Sequence, residues 1–316
     1  MKKALRILFD RVLIPIVRSI QTGYINKYGN QPLKYQPIFI IGAPRTGSTI
    51  LYQALTNYLD VLYMDNLACL WSRASFFGFW LSHKLYSGCP HDNFQAEHGS
   101  TVRFGMHAPS ECGDFWYRWL PTDRHFIDNY EITDEMVNGI RREVTAVSNY
   151  FDRPILFKNM NAGLRLRLLH KCFPKAKFIF ICRDHRFIVK SILNVRRTRR
   201  IKPNELWSLK PNDYEELLNL PELDMVIAQV YAIEQQIRAD LSLFPPEQRC
   251  VVHYEKFSRD LVDMLGRFIG ARKRSAGSLP VFKKDSPALL QSSYRLEFEA
   301  AMRRFSMVNR AVSRAT

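Results

Sequence analysis

One loop of the chain has the composition of an anion-binding site: Gly42-Ala43-Pro44-Arg45-Thr46-Gly47-Ser48-Thr49. It follows the apolar run IFII and precedes residues with helical spacing. Glycines let the backbone turn sharply and bring its amide N–H groups close to an anion, and a helix N-terminus adds a favourable dipole. Ser48 and Thr49 supply hydroxyl donors, and Arg45 supplies a positive charge. The pattern predicts that this loop binds an anion such as phosphate.

The loop lacks the lysine that nucleotide triphosphatases require. Their motif is G-x-x-x-x-G-K-S/T, in which the lysine contacts phosphates and the hydroxyl binds Mg²⁺. Ser48 occupies the lysine position here, and no G-K-S/T sequence occurs elsewhere in the chain. This difference argues against phosphoryl transfer.

A second anion-binding candidate lies far along the chain, in KFIFICRDHRFIVKSIL. The first part is a clear buried strand that ends in Arg183, and Ser191 follows eight positions later on the next predicted helix. A guanidinium at a strand end can hold a phosphate with two parallel hydrogen bonds. The serine reaches the same group only if its helix passes close by. The alternative is that Arg183 forms a surface ion pair, for example with Asp184.

Short apolar runs alternate with segments of helical periodicity along the whole chain. The predicted strands are 38–42, 61–64, 155–158, 177–183 and 249–254, and the predicted helices are 48–58, 67–86, 132–151, 162–172, 185–200, 222–244 and 256–269. This alternation predicts an α/β fold with a mainly parallel central sheet covered by helices on both faces. In such sheets ligands bind beyond the carboxyl ends of the strands, where the polar residues of both motifs lie.

The two motifs together resemble those of sulfotransferases that use 3′-phosphoadenosine 5′-phosphosulfate (PAPS), and in style the bacterial carbohydrate-type and tyrosylprotein enzymes. P-R-T-G-S-T after a strand resembles the family's 5′-phosphosulfate loop, and Arg183 with Ser191 resembles its 3′-phosphate motif. The segment VVHYEKFSRDLVDMLGRFIG also resembles a later strand–Y-E–helix segment of the family. The resemblance covers roughly residues 36–66 and 153–270. It implies a P-loop-like three-layer fold and PAPS as co-substrate, bound by Gly42, Pro44, Arg45, Thr46, Gly47, Ser48, Thr49, Arg183, Ser191 and Tyr254.

The general base has three candidates. In the tyrosylprotein and many carbohydrate enzymes it is a glutamate about twenty residues after the loop arginine, and that position is Asp65 here. Asp65 is one carbon shorter, and an aspartate before a helix is also a common N-cap. His107 and Glu111 lie in a Pro- and Gly-containing loop, where either can serve as base or bind the acceptor.

Lys158 ends a predicted strand in ILFKNMN. The resemblance implies that it stabilises the bridging oxygen of the leaving group, as does a lysine in a comparable segment of the tyrosylprotein enzymes. The alternative is a surface lysine whose aliphatic stem covers apolar atoms. We expect no metal, because sulfuryl transfer needs none and the sequence has no cluster of metal ligands such as H-E-x-x-H.

We expect a single sulfotransferase-like domain over 1–316, with an N-terminal helical extension at 1–35, an acceptor-side insertion at 67–150 and a C-terminal segment at 271–316. Lys283, Lys284 and Ser286 of that segment are candidates to close over the donor. The insertion is rich in aromatic residues, which stack on sugars but also fill cores. A glycan or glycolipid is the leading acceptor, with a hydrophobic molecule or a peptidyl tyrosine as alternatives. These aromatic residues are Trp71, Phe76, Phe77, Phe79, Trp80, Phe115, Trp116, Tyr117 and Trp119.

The chain carries 46 Lys and Arg against 30 Asp and Glu, a net charge of +16, which favours anionic partners. Two rival classes therefore remain: a P-loop kinase or nucleotidase, and a basic module that binds nucleic acid or a membrane. Paired sites for two phosphates favour an enzyme that binds no nucleic acid. Six cysteines without a C-x-x-C pair indicate a cytoplasmic protein. The basic, interrupted N-terminal segment allows peripheral contact with a membrane.

Overall fold

A computed structural model describes residues 9–286, 288 and 290–315. Its strands, numbered in chain order, are β1 (Ile38–Gly42), β2 (Leu156–Lys158), β3 (Lys177–Cys182) and β4 (Arg249–His253). Within the described residues they form one sheet of order β2-β1-β3-β4, in which every neighbouring pair is parallel. The chain passes from β1 to β2 on one side and returns to β3 on the other. Such a reversal opens a crevice at the carboxyl end of β1.

The helices surround this sheet and connect its strands. The α-helices in chain order are α1 (Ile14–Gly29), α2 (Ser48–Tyr58), α3 (Asn66–Leu70), α4 (Ser75–Tyr86), α5 (Gly113–Trp116), α6 (Asp134–Phe151), α7 (Leu166–Cys172), α8 (His185–Thr198), α9 (Glu222–Leu241), α10 (Arg259–Ile269) and α11 (Ser292–Ala315). A π-helical turn (Phe9–Leu13) precedes α1. The 3₁₀ turns are Ser72–Ala74, Asn129–Glu131, Met160–Leu164, Tyr214–Asn219, Pro246–Gln248 and Tyr254–Lys256.

Both faces of the sheet are buried under helices. Successive strand side chains point to opposite faces, so Phe39 and Phe178 pack with residues of α6, α7, α8 and α9. Ile40 and Ile179 pack on the other face with residues of α2 and α10. The interior strands β1 and β3 are therefore almost entirely apolar, as expected for a parallel sheet, whereas the edge strand β4 is partly exposed. The predicted α/β architecture, with a parallel sheet between two helical layers, is confirmed.

Two predicted elements differ from the structure. The strand expected over 61–64 is reduced to one parallel bridge, between Leu62 and Ile155. The reason is Asp65, which caps α3 and begins a helix before a ladder can extend. The helix expected over 67–86 is divided into α3 and α4 by a 3₁₀ turn at Ser72–Ala74. Of its aromatic residues, Phe76 and Phe79 join the core.

The first helix, α1, is apolar on two faces. Ile14 and Val17 are buried and contact a small cluster around Ala74. Ile16 and Ile20 are exposed, whereas the partly exposed ring of Tyr24 stacks on Phe76. Among the described residues, no helix combines the length and the apolarity that crossing a bilayer requires.

Candidate active site

A cleft of about 690 Å³ opens at the carboxyl ends of the strands. Residues from the loop after β1, the end of β2, the end of β3 and the turn after β4 line it, together with residues from three other parts of the chain, 94–111, 207–208 and 280–283. Its lining consists of Pro44, Arg45, Gly47, Ser48, Thr49, Ile50, Gln53, Phe94, Ala96, His98, Gly99, Glu111, Lys158, Met160, Asn161, Arg183, Trp207, Ser208, Tyr254, Pro280, Val281, Phe282 and Lys283. The cleft lies where the parallel sheet predicts a ligand site.

The loop after β1 leads directly into the N-terminus of α2. Gly47 caps this helix with a left-handed φ of 87°. A Cβ at Gly47 would lie 2.3 Å from Cδ2 of Tyr254, so only glycine permits both this turn and this contact. Thr46 is buried, and its hydroxyl donates to the carbonyl of Ala43 at 3.0 Å. Gly42 also packs tightly, against the carbonyl of Ile181. Thr46 and Gly42 thus shape the loop, whereas Ser48 and Thr49 line the cleft.

Arg183 is the centre of a network at the end of β3. Its Nη1 donates to the carbonyl of Arg45 at 2.8 Å, which ties β3 to the loop. Its Nε and Nη2 donate to the two carboxylate oxygens of Asp285, at 2.7 and 2.8 Å. The guanidinium also stacks on Tyr254, at 4.3 Å from the ring centroid. The guanidinium therefore presents a parallel pair of N–H donors, which is hydrogen-bonded to the Asp285 carboxylate.

Ser191 contacts the first loop rather than Arg183. It lies on α8, and its hydroxyl accepts a hydrogen bond from Nε of Arg45 at 2.8 Å. Burial and the neighbouring Arg183 guanidinium lower the pKa of Arg45. Two guanidinium groups held this close repel each other, so an anion between them would be strongly favoured. The structure thus brings the two predicted motifs together across the cleft.

Lys158 and Glu111 form an ion pair in the wall of the cleft. Lys158 is the last residue of β2, and its buried side chain lines the inner wall of the cleft. Its Nζ donates to a carboxylate oxygen of Glu111 and, at 3.1 Å, to the hydroxyl of Thr49. The ammonium therefore contacts both a carboxylate and a hydroxyl beside the loop at 42–49.

A tight turn covers this trio. The backbones of Glu97 and Ser100 exchange two hydrogen bonds, of 2.8 and 2.9 Å, and His98 and Gly99 between them have φ values of 52° and 94°. The carbonyl of Gly99 accepts a bond from the Thr49 hydroxyl at 3.4 Å. The sequence did not single out this turn, although the pair His98-Gly99 is compatible with the left-handed conformation that such turns need.

Asp65 and His107 lie together outside the cleft lining. Asp65 is fully buried, and one oxygen caps α3 by accepting from the amide of Ala68 at 2.7 Å. The other oxygen bonds Nδ1 of His107 at 3.0 Å and the hydroxyl of Ser82. We call these four residues, Asp65, Ala68, Ser82 and His107, the capping cluster. Both oxygens of the carboxylate are hydrogen-bonded, as in a structural N-cap.

Two of the lining segments lie far from the strands in sequence; sequence reasoning missed the first, whereas it proposed Lys283 of the second to close over the donor. Trp207 and Ser208 come from the connection between α8 and α9, and Pro280–Lys283 from the C-terminal segment. Asp285, the partner of Arg183, was missed too, although its neighbours Lys283 and Lys284 drew attention. An acid in the basic run KKDS was the available signal.

The fold and the site together define an α/β protein with a glycine-rich loop after β1 and a guanidinium at the end of the adjacent strand β3. Residues 37–270 match the model of the sulfotransferase family, which is most of the chain. The chain therefore belongs to the sulfotransferase family and is a sulfotransferase enzyme. The match confirms the resemblance inferred from the loop and from Arg183.

Solved structures support the same fold. Sulfotransferase STF1 from Mycobacterium tuberculosis aligns over 84% of this chain and 74% of its own, with a TM-score of 0.53 and 14% identity. Sulfotransferase STF9 from Mycobacterium avium aligns over 92% of this chain and 71% of its own, with a TM-score of 0.51 and 15% identity. A comparison with curated proteins gives no match.

Proposed function

We propose that this sulfotransferase takes its sulfuryl group from PAPS and transfers it to a hydroxyl of a glycan or glycolipid. The observation that carries the donor assignment is the guanidinium of Arg183, whose paired N–H groups hold a carboxylate at 2.7 and 2.8 Å. A carboxylate in this geometry stands in for a phosphate, since both accept paired bonds from a guanidinium. The 3′-phosphate of the donor would bind there, and the loop at 42–49 would hold the 5′ side.

Each polar group of the cleft then has a role in the transfer. The loop amides, Ser48 and Arg45 hold the 5′-phosphosulfate and neutralise its oxygens. Glu111 takes the proton of the acceptor hydroxyl while the hydroxyl oxygen of the acceptor forms a bond to sulfur. Lys158 stabilises the negative charge on the bridging oxygen as the bond from that oxygen to sulfur breaks. Thr49 orients the ammonium through the 3.1 Å bond.

Among the three candidate bases, Glu111 has the position that suits proton transfer. It lines the cleft beside Lys158, within reach of a bound acceptor. Asp65 is buried and fully hydrogen-bonded, and His107 shares its bonds between Asp65 and the carbonyl of Cys89. We therefore propose that Asp65 and His107 support the loop that carries Glu111. An antiparallel β-bridge between Asp65 and Pro109 connects that loop to Asp65.

A glycan acceptor is supported by a second cavity beside the cleft. It has a volume of about 1430 Å³, and its walls combine charged groups with the rings of Tyr117 and Trp119. The Tyr117 hydroxyl accepts a bond of 2.7 Å from Asn161, which lines the cleft. Aromatic rings next to charged hydrogen-bonding groups suit the faces and hydroxyls of a sugar. The acceptor would extend from this cavity toward Glu111.

A lipid-linked acceptor fits the exposed face of α1. Ile16 and Ile20, one turn apart, are apolar residues exposed to solvent, and Arg18 and Lys27 are exposed on the same helix. Basic groups beside an apolar helix face favour the surface of an anionic membrane. All six cysteines are free thiols, which suits a reducing compartment. We therefore propose a cytoplasmic enzyme with peripheral contact to the membrane.

Calorimetric titration with adenosine 3′,5′-bisphosphate, Mg·ATP and duplex DNA tests the donor assignment. We expect binding of the bisphosphate at about micromolar Kd, unaffected by EDTA, and its loss in Arg183→Ala, because the guanidinium bonds two phosphate oxygens. Tight binding of Mg·ATP without the bisphosphate would instead support a kinase or nucleotidase. Salt-sensitive binding of DNA alone would support a nucleic-acid module. Either result would overturn the proposal.

A further inference from the structure

The Arg183 guanidinium is occupied by a carboxylate of the same chain. Asp285 accepts from Nε and Nη2 in a parallel pair, at 2.7 and 2.8 Å. The side chains of Arg183 and Asp285 are only 17% and 13% exposed. A paired, mostly desolvated ion pair of this kind is stronger than a surface salt bridge. Asp285 therefore makes a specific contact inside the proposed donor site.

Asp285 lies on the segment 278–285, which crosses the cleft. Before the cleft the segment is fixed to the end of α2, where the amide of Ser278 donates to Oδ1 of Asn57 at 2.6 Å. Pro280–Lys283 then line the cleft, and the ring of Phe282 packs on that of Phe257. Beyond Asp285, the Tyr294 hydroxyl donates to the carbonyl of Arg186 at 2.7 Å. The carboxylate thus lies between two anchored ends.

We propose that Asp285 is an affinity-determining residue of the donor site, which holds Arg183 in the absence of nucleotide and competes with the 3′-phosphate for it. The inference rests on the proposed function, in which Arg183 binds that phosphate. Two anions do not share one pair of N–H donors, and their like charges repel at this distance. Binding of a 3′-phosphate therefore requires that Asp285 leaves.

This competition weakens the binding of the product as well as the binding of the donor. The apparent affinity of a ligand falls in proportion to the fraction of molecules whose site is open. Adenosine 3′,5′-bisphosphate, which remains after transfer, carries the same 3′-phosphate as PAPS. The return of Asp285 to Arg183 would then promote its dissociation, a step that limits turnover in many enzymes. A ligand without a 3′-phosphate, such as 5′-AMP, would bind without displacing Asp285.

The test compares two ligands on matched variants by calorimetry. In Asp285→Asn we expect the Kd of adenosine 3′,5′-bisphosphate to fall about tenfold, as for a site that is open in about one molecule in ten. The Kd of 5′-AMP should change less than twofold. Asp263→Asn is the control, since it removes the same charge from an ion pair with Lys273 outside the cleft. In an Arg183→Ala background, Asp285→Asn should not restore binding of the bisphosphate.

Asp285→Ser provides a second variant, and thermal unfolding checks that each variant is folded. Equal affinity of wild type and both Asp285 variants for the bisphosphate would overturn the inference and leave the proposed donor intact. Equal tightening for the bisphosphate and 5′-AMP would also overturn it, because it would indicate a general charge effect. Absence of bisphosphate binding in every variant would overturn the proposed function and the inference together.

Discussion

Two carboxylates of this protein have the same chemistry but opposite surroundings. Asp65 is fully buried in the capping cluster, and its oxygens accept from a backbone amide, a hydroxyl and an imidazole. Glu111 lines the cleft with 37% of its side chain exposed, and its partner is the Lys158 ammonium. The first carboxylate stabilises local structure, whereas the second is open to a ligand. Position along the chain therefore identifies candidate acids, and their hydrogen bonds and exposure separate those bound up in local structure from those that a ligand can reach.

The largest expected effect comes from removing the ammonium in the cleft. Lys158→Met should lower kcat by about 10²–10³, because a charge that stabilises the leaving oxygen is lost. The methionine fills nearly the same volume, so the fold should persist. Transfer from PAPS to an acceptor identified by screening glycans and lipids measures the effect, and Lys210→Met, outside the cleft, is the control. Normal kcat in folded Lys158→Met would exclude Lys158 from the chemistry.

Removing the buried carboxylate should affect stability instead. Asp65→Ala deletes the cap of α3 and leaves Ser82 and His107 without their acceptor, which should lower the free energy of unfolding by about 2–3 kcal/mol. Urea denaturation measures this loss. Thr133→Ala removes an exposed cap of α6 and should cost about 1 kcal/mol. A smaller loss in Asp65→Ala than in Thr133→Ala would contradict the structural role of Asp65.

The buried side chain of His91 should make the free energy of unfolding depend on pH. Burial, with a smaller contribution from His107, lowers the pKa of His91 to about 4. The unfolded chain therefore binds a proton more readily than the folded one between about pH 4 and the usual histidine pKa of about 6.5. Stability present at pH 7 should fall by about 2 kcal/mol at pH 5 for this group. Urea midpoints across this range measure the slope, which should be shallower in His91→Gln; an equal slope would contradict the prediction.

The placement of the loop at 42–49 and of Arg183 at one edge of the sheet was predictable from sequence because its geometry is local. A glycine-rich loop and an arginine at a strand end are short motifs, and a parallel sheet brings strand ends to one edge. The surroundings of Asp65 were not predictable, since Asp65 meets the spacing of a general base and only its bonds to Ala68, Ser82 and His107 reveal a cap. The contact of Asp285 with Arg183 depends on how a distant segment folds back. Of the nine aromatic residues singled out, none lines the cleft.

The most direct test of the account is sulfuryl transfer by Glu111→Gln and Asp65→Asn, measured in the same assay at saturating PAPS. Glutamine at 111 cannot take a proton, so we expect kcat to fall by about 10³ while donor affinity stays within a few-fold of wild type. Asparagine at 65 can still cap α3, so kcat per folded molecule should remain near normal. Near-normal transfer by Glu111→Gln together with loss of transfer by folded Asp65→Asn would contradict the account and would identify Asp65 as the general base.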